Sequence, residues 1–291
     1  MRSTPTRVIV LTPLLLALSF RMPAQTLVGA VDGLYRINGP SGLSLVLAGV
    51  DVRKIVKAGD GFFFLTSRGV LHSRDLGSFE ERNAGLPVKT IKTFTGGVKG
   101  FLKEVQELKD LEIDPYDPAT LVTCSKDQVF LTRDGGRSWS AMPSPATQPG
   151  LKAVAVTSKP ELLVFASHPI KGPFVKTAAG SWREIGGDLG RNEPTGSPDE
   201  ISDIVVQAGT DGPSIWAANT FLPRIYRYDI AGRAFSLVFK EDAEFASYDS
   251  LQLRPDGVLY VTDGSVMRLD PVRGTVTPAG AETKAILAAA A

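Results

Sequence analysis

The sequence predicts an all-β protein, a six-bladed β-propeller, from three observations. Short strand-like segments separated by turn residues recur along most of the 291 residues. Gly (29) and Pro (20) are frequent, as expected when many short strands are joined by turns. Residues 132–139 have the composition of a tight hairpin turn inside one of these repeats. The alternating strands and this turn favour a propeller over a pair of β-sandwiches or a β-helix.

The repeat is clearest when the chain is aligned on residues 110–142, which contain four strand-like segments joined by turns. Five further units follow the same order: residues 27–48, 52–82, 151–184, 201–239 and 248–277. Six units of roughly 45 residues match the usual length of a propeller blade. Seven blades, the alternative, would need units that are shorter than usual.

The first unit is incomplete, because residues 27–48 give only three strands and no innermost one. An apolar segment within residues 283–290 could supply the missing strand. A closing strand from the far end of the chain seals many propellers and removes exposed sheet edges. We therefore predict that N- and C-terminal strands pair and close the fold.

A tight hairpin turn joins the last two strands of the unit 110–142. Its pattern, Thr/Ser-x-Asp-x-Gly-x-x-Trp, is formed by Thr132, Asp134, Gly136 and Trp139. Gly136 and the glycine before it can adopt positive φ without a Cβ clash. Asp134 can accept hydrogen bonds from N–H groups of its own turn. A shorter copy, one residue short, consists of Ser73, Asp75, Gly77 and Phe79.

Composition argues against several classes of partner and site. The formal net charge is +1, and this near balance argues against a nucleic acid or an anionic membrane as partner. Two His and one Cys leave little for a His/Cys metal site, and we expect neither a metal nor another cofactor. Cys124 lies in an apolar run and is predicted to be a small buried hydrophobic residue.

The N-terminus has the pattern of an export signal. Arg2 and Arg7 give a positive start, and the apolar segment 8–18 is too short to span a bilayer. Cleavage after Ala24 is preferred, and cleavage after Ser19 is the alternative. We expect residues 1–24 to be a signal peptide and residues 25–291 to form a single domain. The mature chain, without a membrane span, would be periplasmic or secreted.

Residues 113–121, of the form I-D-P-x-D-P-x-T-L, precede V-F-L-T-R-D-G-G-R-S-W. This combination resembles the BNR/Asp-box superfamily, which includes sialidases, xyloglucanases, sortilin-type receptor domains and photosystem II assembly-factor-like propellers. The resemblance implies that the box lies between the third and fourth strands of a blade, on the face opposite the usual ligand face. Because members share a scaffold and differ in function, the resemblance predicts a fold and not an activity.

The face opposite the box is where the longest insertions are expected, at residues 83–107 and 187–200, together with the loops 168–173 and 220–223. Long loops in a compact fold are uncommon without a purpose or disorder. The candidate binding residues there are Lys92, Lys99, Phe101, Lys103, His168, Lys171 and Phe221. The first insertion could instead be a solvated hairpin. Residues 102–108 could also form a short helix or begin the next inner strand.

Enzymatic alternatives rest on few residues. Arg36, in the run Tyr-Arg-Ile-Asn, resembles the first substrate-binding arginine of sialidases, but the proline that follows in that motif is missing. Glycosidases need two carboxylates across a cleft, and Asp110, Asp203 and Asp249 begin or lie in predicted inner strands. The favoured function is an exported, non-catalytic scaffold that binds an envelope protein or a glycan. A glycoside hydrolase or sialidase-like enzyme is the alternative.

Overall fold

The computed structural model is built from β-strands. It describes residues 26–38, 42–59, 61–95, 98–187, 189–190, 199–219, 222, 224–240, 250–254, 257–262, 265–270 and 275–278. The predicted signal peptide and the segment 283–290 lie outside these residues. None of the described residues belongs to a helix long and apolar enough to cross a membrane.

The strands fall into sheets that follow the order of the chain. They are β1 (Thr26–Ala30), β2 (Gly33–Ile37), β3 (Leu43–Ala48), β4 (Val52–Ala58), β5 (Gly61–Thr66), β6 (Gly69–Ser73), β7 (Glu80–Glu81), β8 (Val88–Thr95), β9 (Val98–Val105), β10 (Leu108–Asp114), β11 (Asp117–Ser125), β12 (Val129–Thr132), β13 (Ser140–Ala141), β14 (Val154–Thr157), β15 (Leu163–His168), β16 (Gly172–Thr177), β17 (Arg183–Glu184), β18 (Ile201–Gln207), β19 (Ser214–Asn219), β20 (Arg224–Asp229), β21 (Ala234–Lys240), β22 (Ser250–Arg254), β23 (Gly257–Thr262), β24 (Ser265–Asp270) and β25 (Thr275–Pro278).

Each predicted repeat corresponds to one antiparallel sheet. The first sheet is β1–β3, the second β4–β7, the third β10–β13, the fourth β14–β17, the fifth β18–β21 and the sixth β22–β25. Neighbouring strands of a sheet are consecutive in the chain, so every sheet is a meander of hairpins. An all-β architecture of repeated four-stranded sheets was predicted from the sequence and is confirmed.

The first sheet has three strands in the described part of the chain. Only residues 49–51 separate β3 from β4, and Gly49 N donates to Asp32 O, in the turn between β1 and β2. In the second sheet Arg82 N, just after β7, donates to Val70 O of β6. The chain thus passes from β3 directly to β4, and no fourth strand of the first sheet lies among the described residues.

The sheets pack face to face through apolar side chains. Five clusters of buried residues lie between consecutive sheets, from the first and second to the fifth and sixth. Between the fourth and fifth, Tyr228 meets Phe165 edge-on with ring centroids 5.1 Å apart. Between the third and fourth, Cys124 is fully buried, and burial raises the pKa of its thiol. It is a core residue, as the sequence predicts.

The first strands of the four-stranded sheets, β4, β10, β14, β18 and β22, contact one another in succession. We call them the inner strands. Three of them have a register shift at the third residue, at Lys54, Asp110 and Asp203. These three residues therefore occupy one equivalent position in three repeats, where the strand bends and redirects its side chains.

The insertion 83–107 forms a separate two-stranded ribbon of β8 and β9, between the second and third sheets in the chain. Its register is unbroken from Val88 opposite Val105 to Thr95 opposite Val98. The suggestion of a short helix at 102–108 is wrong, because residues 102–105 continue β9 by pairing with β8. The alternative that residues 102–108 begin the next inner strand is also wrong for residues 102–105, because the inner strand β10 begins only at Leu108.

Candidate functional site

Four charged side chains from three sheets meet between the inner strands. Lys54 Nζ lies 2.6 Å from Asp110 Oδ1, 2.5 Å from Glu112 Oε1 and 3.4 Å from Asp203 Oδ1. We call these four residues the central cluster. Because Lys54 belongs to the second sheet, Asp110 and Glu112 to the third and Asp203 to the fifth, the cluster shows that these inner strands converge on a common line.

The two aspartates also link their sheets to the next ones. Asp110 Oδ2 accepts a hydrogen bond from Val154 N of β14 at 2.8 Å. Asp203 Oδ2 accepts the equivalent bond from Leu251 N of β22, also at 2.8 Å. In both, one oxygen faces Lys54 and the other accepts from a backbone N–H of the following inner strand. Such charge-assisted bonds are stronger than neutral ones.

The fourth sheet has Ala153 at the equivalent position, and a serine makes its link. Ser167 Oγ accepts from Ala153 N at 3.2 Å and donates to Ile201 O of the fifth sheet at 3.1 Å. A hydroxyl on the second strand thus takes over the bridging role of a carboxylate on the first. A side chain thus bridges consecutive sheets in each of these cases, with a carboxylate in two of them and a hydroxyl in the third.

One cation facing three carboxylates leaves the central cluster electrostatically unbalanced. Burial, together with the carboxylates of Asp110 and Asp203, raises the pKa of Glu112 to about 8 against the opposing effect of Lys54. Burial also raises the pKa of Asp203. Burial opposes the charge of Lys54, but the three carboxylates together raise its pKa well above the usual value. Burial and the neighbouring carboxylates thus favour the protonated form of Glu112.

The carboxylate oxygens of Asp110, Glu112 and Asp203 lie within 4.8 Å of one another, a spacing that a cation could bridge. Lys54 Nζ already provides a cation there, so the geometry is that of a partly buried ion-pair network. Asp249, the third aspartate considered from sequence, lies outside the described residues. The expectation that the protein needs no metal remains a prediction.

The turn between β12 and β13 is organised by one carboxylate. Asp134 Oδ1 accepts from Thr132 Oγ1 at 2.7 Å and from Ser138 N at 3.0 Å, and Asp134 Oδ2 accepts from Ser138 Oγ at 2.5 Å. These bonds lower the pKa of Asp134 to about 2, those from Ser138 most strongly. Gly136 has φ of 76°, in the region that favours glycine.

The shorter copy of the pattern, between β6 and β7, is held in a similar way. Asp75 Oδ1 accepts from Gly77 N at 2.8 Å and from Ser78 N at 3.1 Å, and these bonds lower its pKa. Ser73 Oγ accepts from Leu76 N at 2.9 Å. Phe79 packs against Phe64 with ring centroids 5.6 Å apart. All four residues of the copy thus lie in or beside this turn.

Trp139 connects the turn of the third sheet to the second sheet. Its indole Nε1 donates to Arg82 O at 2.7 Å, and its backbone N donates to Ala84 O at 2.8 Å. Gly85 follows with φ of 89°, and a Cβ there would lie 2.1 Å from Trp139 O. The chain that leads into the ribbon is therefore held tightly against this turn. Trp182 repeats the arrangement one sheet later, where its Nε1 donates to Pro143 O at 2.5 Å.

The ribbon gathers four of the predicted binding residues on one face. Side chains directly opposite each other in an antiparallel pair share a face, and the face changes with each residue. Lys92 lies opposite Phe101, and Lys103 lies opposite Thr90. We call the face formed by Val88, Thr90, Lys92, Lys99, Phe101 and Lys103 the lysine face. All six side chains are exposed, Phe101 by 73% and Val88 by 60%.

The opposite face of the ribbon differs in charge and exposure. Lys89 lies opposite Glu104 there, with Nζ 3.7 Å from Oε2. Ile91 and Thr93 are half-buried, while Leu102 is exposed by 49%. The single carboxylate of the ribbon thus neutralises a lysine that is not on the lysine face.

The remaining predicted binding residues do not lie on the ribbon. His168 is 1% exposed, and its Nδ1 accepts from Ile170 N and Lys171 N at 3.1 and 3.2 Å, so its ring shapes the turn between β15 and β16. Lys171, in that turn, is exposed. Phe221 lies outside the described residues. Arg36, the sialidase-like candidate, lies in β2 and pairs with Leu27 and Ser44.

Sequence reasoning placed Asp110 and Asp203 in inner strands but missed Lys54 and Glu112 in the same cluster. A signal was available in the repeat. The runs Val-Arg-Lys-Ile, Leu-Lys-Asp-Leu and Ile-Ser-Asp-Ile begin β4, β10 and β18 and place one charged residue at the same position. A residue-by-residue alignment of the repeats would have placed Lys54 at the same position as the two aspartates.

No protein-family model matches the chain, and no curated protein matches it by sequence. Solved structures do match. The extracellular domain of a proposed one-component system of B. thetaiotaomicron gives a TM-score of 0.61 at 10% identity, over 87% of this chain and 31% of that one. This chain thus spans about a third of that protein's length.

Two further solved structures are similar over most of this chain. A chain of the nidogen/laminin complex gives a TM-score of 0.56 at 8% identity, over 87% of this chain and 91% of that one. The GH74 xyloglucanase of Xanthomonas campestris gives 0.53 at 15% identity, over 88% and 44%. At these identities the likeness concerns the fold alone, and the fold class of this chain is the β-propeller.

Proposed function

We propose that this chain is an exported, non-catalytic six-bladed propeller of the BNR/Asp-box type that acts as a binding or assembly scaffold in the cell envelope. The lysine face of the ribbon carries the proposal. Phe101 is 73% exposed between lysines on a ribbon that joins no other sheet in the described part of the chain. Exposed apolar side chains that are rimmed by polar groups mark interaction surfaces in many proteins.

The bonding of charged side chains elsewhere in the molecule also supports a scaffold. The charged side chains of the central cluster and the Asp134 carboxylate of the box turn form bonds that hold sheets and turns together. The lysine face is different, because Lys92, Lys99 and Lys103 form no ion pair with another described residue. The similar structures include an extracellular domain and a chain of a protein complex, which supports an exported binding role for this fold.

The test is capture of an envelope protein or glycan by the immobilised mature chain. We would compare it with a variant in which residues 89–104 are replaced by a short glycine-serine turn, after checking that both unfold at the same temperature. Arg137→Glu, an exposed charge reversal in the box turn, is the surface control. Loss of the captured partner in the ribbon variant, with retention in the control, is expected. Equal capture by all three proteins would refute the assignment.

A glycoside hydrolase is the second candidate because of one specific observation. Glu112 has its pKa raised to about 8 and lies close to Asp110 and Asp203, a combination that general acids in glycosidases use. Lys54 Nζ lies between these groups, which argues for an ion-pair network. Hydrolysis of a panel of chromogenic glycosides, measured with the mature chain and with the Glu112→Gln variant, distinguishes the enzyme from the scaffold. Hydrolysis abolished by the substitution would favour the enzyme over the scaffold.

A further inference from the structure

We propose that the lysine face binds an extended acidic polypeptide segment of the form acid-x-apolar-x-acid, which adds as a third strand to the free edge of β9. This inference rests on the proposed function, because it assumes that the ribbon is the binding surface. It specifies the chemistry of the partner and the way in which it is held.

Charge selects an acidic partner. Lys92, Lys99 and Lys103 all lie on the lysine face, and Glu104, the carboxylate of the ribbon, lies on the other face beside Lys89. The lysine face therefore keeps three positive charges without a carboxylate on the same face in the described ribbon. A partner with the opposite charge is favoured, and a basic one is repelled.

The spacing along β9 selects the order of residues in the partner. Lys99, Phe101 and Lys103 alternate along one strand, so each lysine is two residues from the ring. In an extended strand, residues two apart lie about 7 Å from each other on the same face. A second strand beside β9 has the same period, and its residues i, i+2 and i+4 lie beside these three. Acidic residues at i and i+4 and an apolar residue at i+2 are complementary.

The backbone of the ribbon selects a polypeptide. β9 pairs with β8 along one edge and with no other strand of the described chain along the second edge. That edge offers N–H and C=O groups along eight residues. A peptide strand satisfies them by strand addition, which gives affinity, while the alternating side chains give specificity. A glycan or a lipid headgroup offers no matching ladder.

Lysines on an exposed edge also keep sheets from associating, and the experiment must separate that role from recognition. The probe is a fluorescent peptide about seven residues long with the central sequence Glu-Thr-Phe-Thr-Glu. Two matched probes replace both glutamates by glutamine or methylate the backbone nitrogens. Binding to the full mature chain is measured by fluorescence anisotropy at about 50 mM and about 300 mM salt.

Lys99→Gln and Lys103→Gln are the test variants, and Lys89→Gln on the other face of the same ribbon is their matched control. We expect each test variant to weaken binding about fivefold and the control less than about twofold. Phe101→Ser should weaken binding further. Higher salt, the glutamine probe and the N-methylated probe should each reduce binding as well.

Equal binding of the glutamate and glutamine probes, or equal effects of Lys89→Gln and Lys103→Gln, would overturn the inference. Binding of the N-methylated probe with undiminished affinity would refute strand addition. Competition by a sulfated oligosaccharide or by phosphatidylglycerol vesicles, without binding of the glutamate probe, would assign the face to another class of ligand. If the ribbon variant loses an envelope partner while the probes fail, the scaffold function survives and this inference does not.

Discussion

Lys54 and Asp110 stand at the same position of two consecutive inner strands, and Lys54 Nζ lies 2.6 Å from Asp110 Oδ1. A repeat with the same residue at that position in both strands would place like charges together. Asp110 is 5% exposed and Lys54 is partly buried, and the pair connects two sheets that also share an apolar cluster. The inner strands are therefore joined by chemistry that differs from one repeat to the next.

Asp110→Ala should destabilise the fold by about 2–4 kcal/mol, because Val154 N loses its acceptor and Lys54 loses one of its partners. Urea unfolding followed by tryptophan fluorescence measures the change. Asp110→Asn keeps an oxygen for Val154 N and should recover part of the loss. Equal destabilisation by the two substitutions would show that the bond to Val154 N contributes little.

Stability should depend on pH through Glu112. Its folded pKa, about 8, lies above the ordinary value of 4.5, so the folded chain binds the proton more tightly than the unfolded chain. The free energy of unfolding is then highest below the ordinary pKa and falls as pH rises through the folded pKa, by about 1–3 kcal/mol. Glu112→Gln should flatten this fall. A parallel pH profile in the substituted protein would contradict the assignment.

Asp134→Ala should lower stability by about 1–2 kcal/mol because the turn loses three internal hydrogen bonds. Its folded pKa is lowered to about 2, so the stabilisation is present above the ordinary pKa of 3.8 and is lost as pH falls towards 2. Asp75→Ala, which removes two bonds, is the matched control and should cost less. Thermal unfolding that is unchanged by Asp134→Ala would contradict the role of the turn.

Trp139→Phe should cost about 1–2 kcal/mol, because it removes the hydrogen bond from the indole to Arg82 O between two sheets. Trp139 is 5% exposed, whereas Trp182 makes the equivalent bond from a more exposed position. Trp182→Phe should therefore cost less. Chemical denaturation gives the loss in the free energy of unfolding for each variant. A larger loss for Trp182→Phe would mean that burial does not determine the strength of these contacts.

The sequence predicted the repeat well because strands and turns are local features. The limits of the five four-stranded sheets follow the predicted units, and the turn at Asp134 has the bonds that its residue types favour. The clustering on the ribbon was harder, since it depends on the register of β8 against β9. Even so, Lys92, Lys99, Lys103 and Phe101, which were proposed together, lie on one face.

Long-range contacts limited the prediction elsewhere. His168 looked like a loop residue, but it ends a strand whose six residues are all buried, and its ring accepts bonds from the following turn. The contact of Lys54 with Asp203 spans 149 residues and depends on how the sheets converge. Strand pattern alone carries no information about which sheets converge.

Unequal residues at the equivalent inner-strand position also affect assembly during folding. Similar repeats in one chain can pair in the wrong order or exchange with a neighbouring molecule. Lys54 is matched by carboxylates of the third and fifth sheets, whereas the fourth sheet offers Ala153 there. A misordered arrangement that placed the fourth sheet beside β4 would take the two carboxylates of the third sheet away from Lys54, at a cost in free energy. The charge at one strand position thus favours the correct order of neighbouring sheets while the chain is still collapsing.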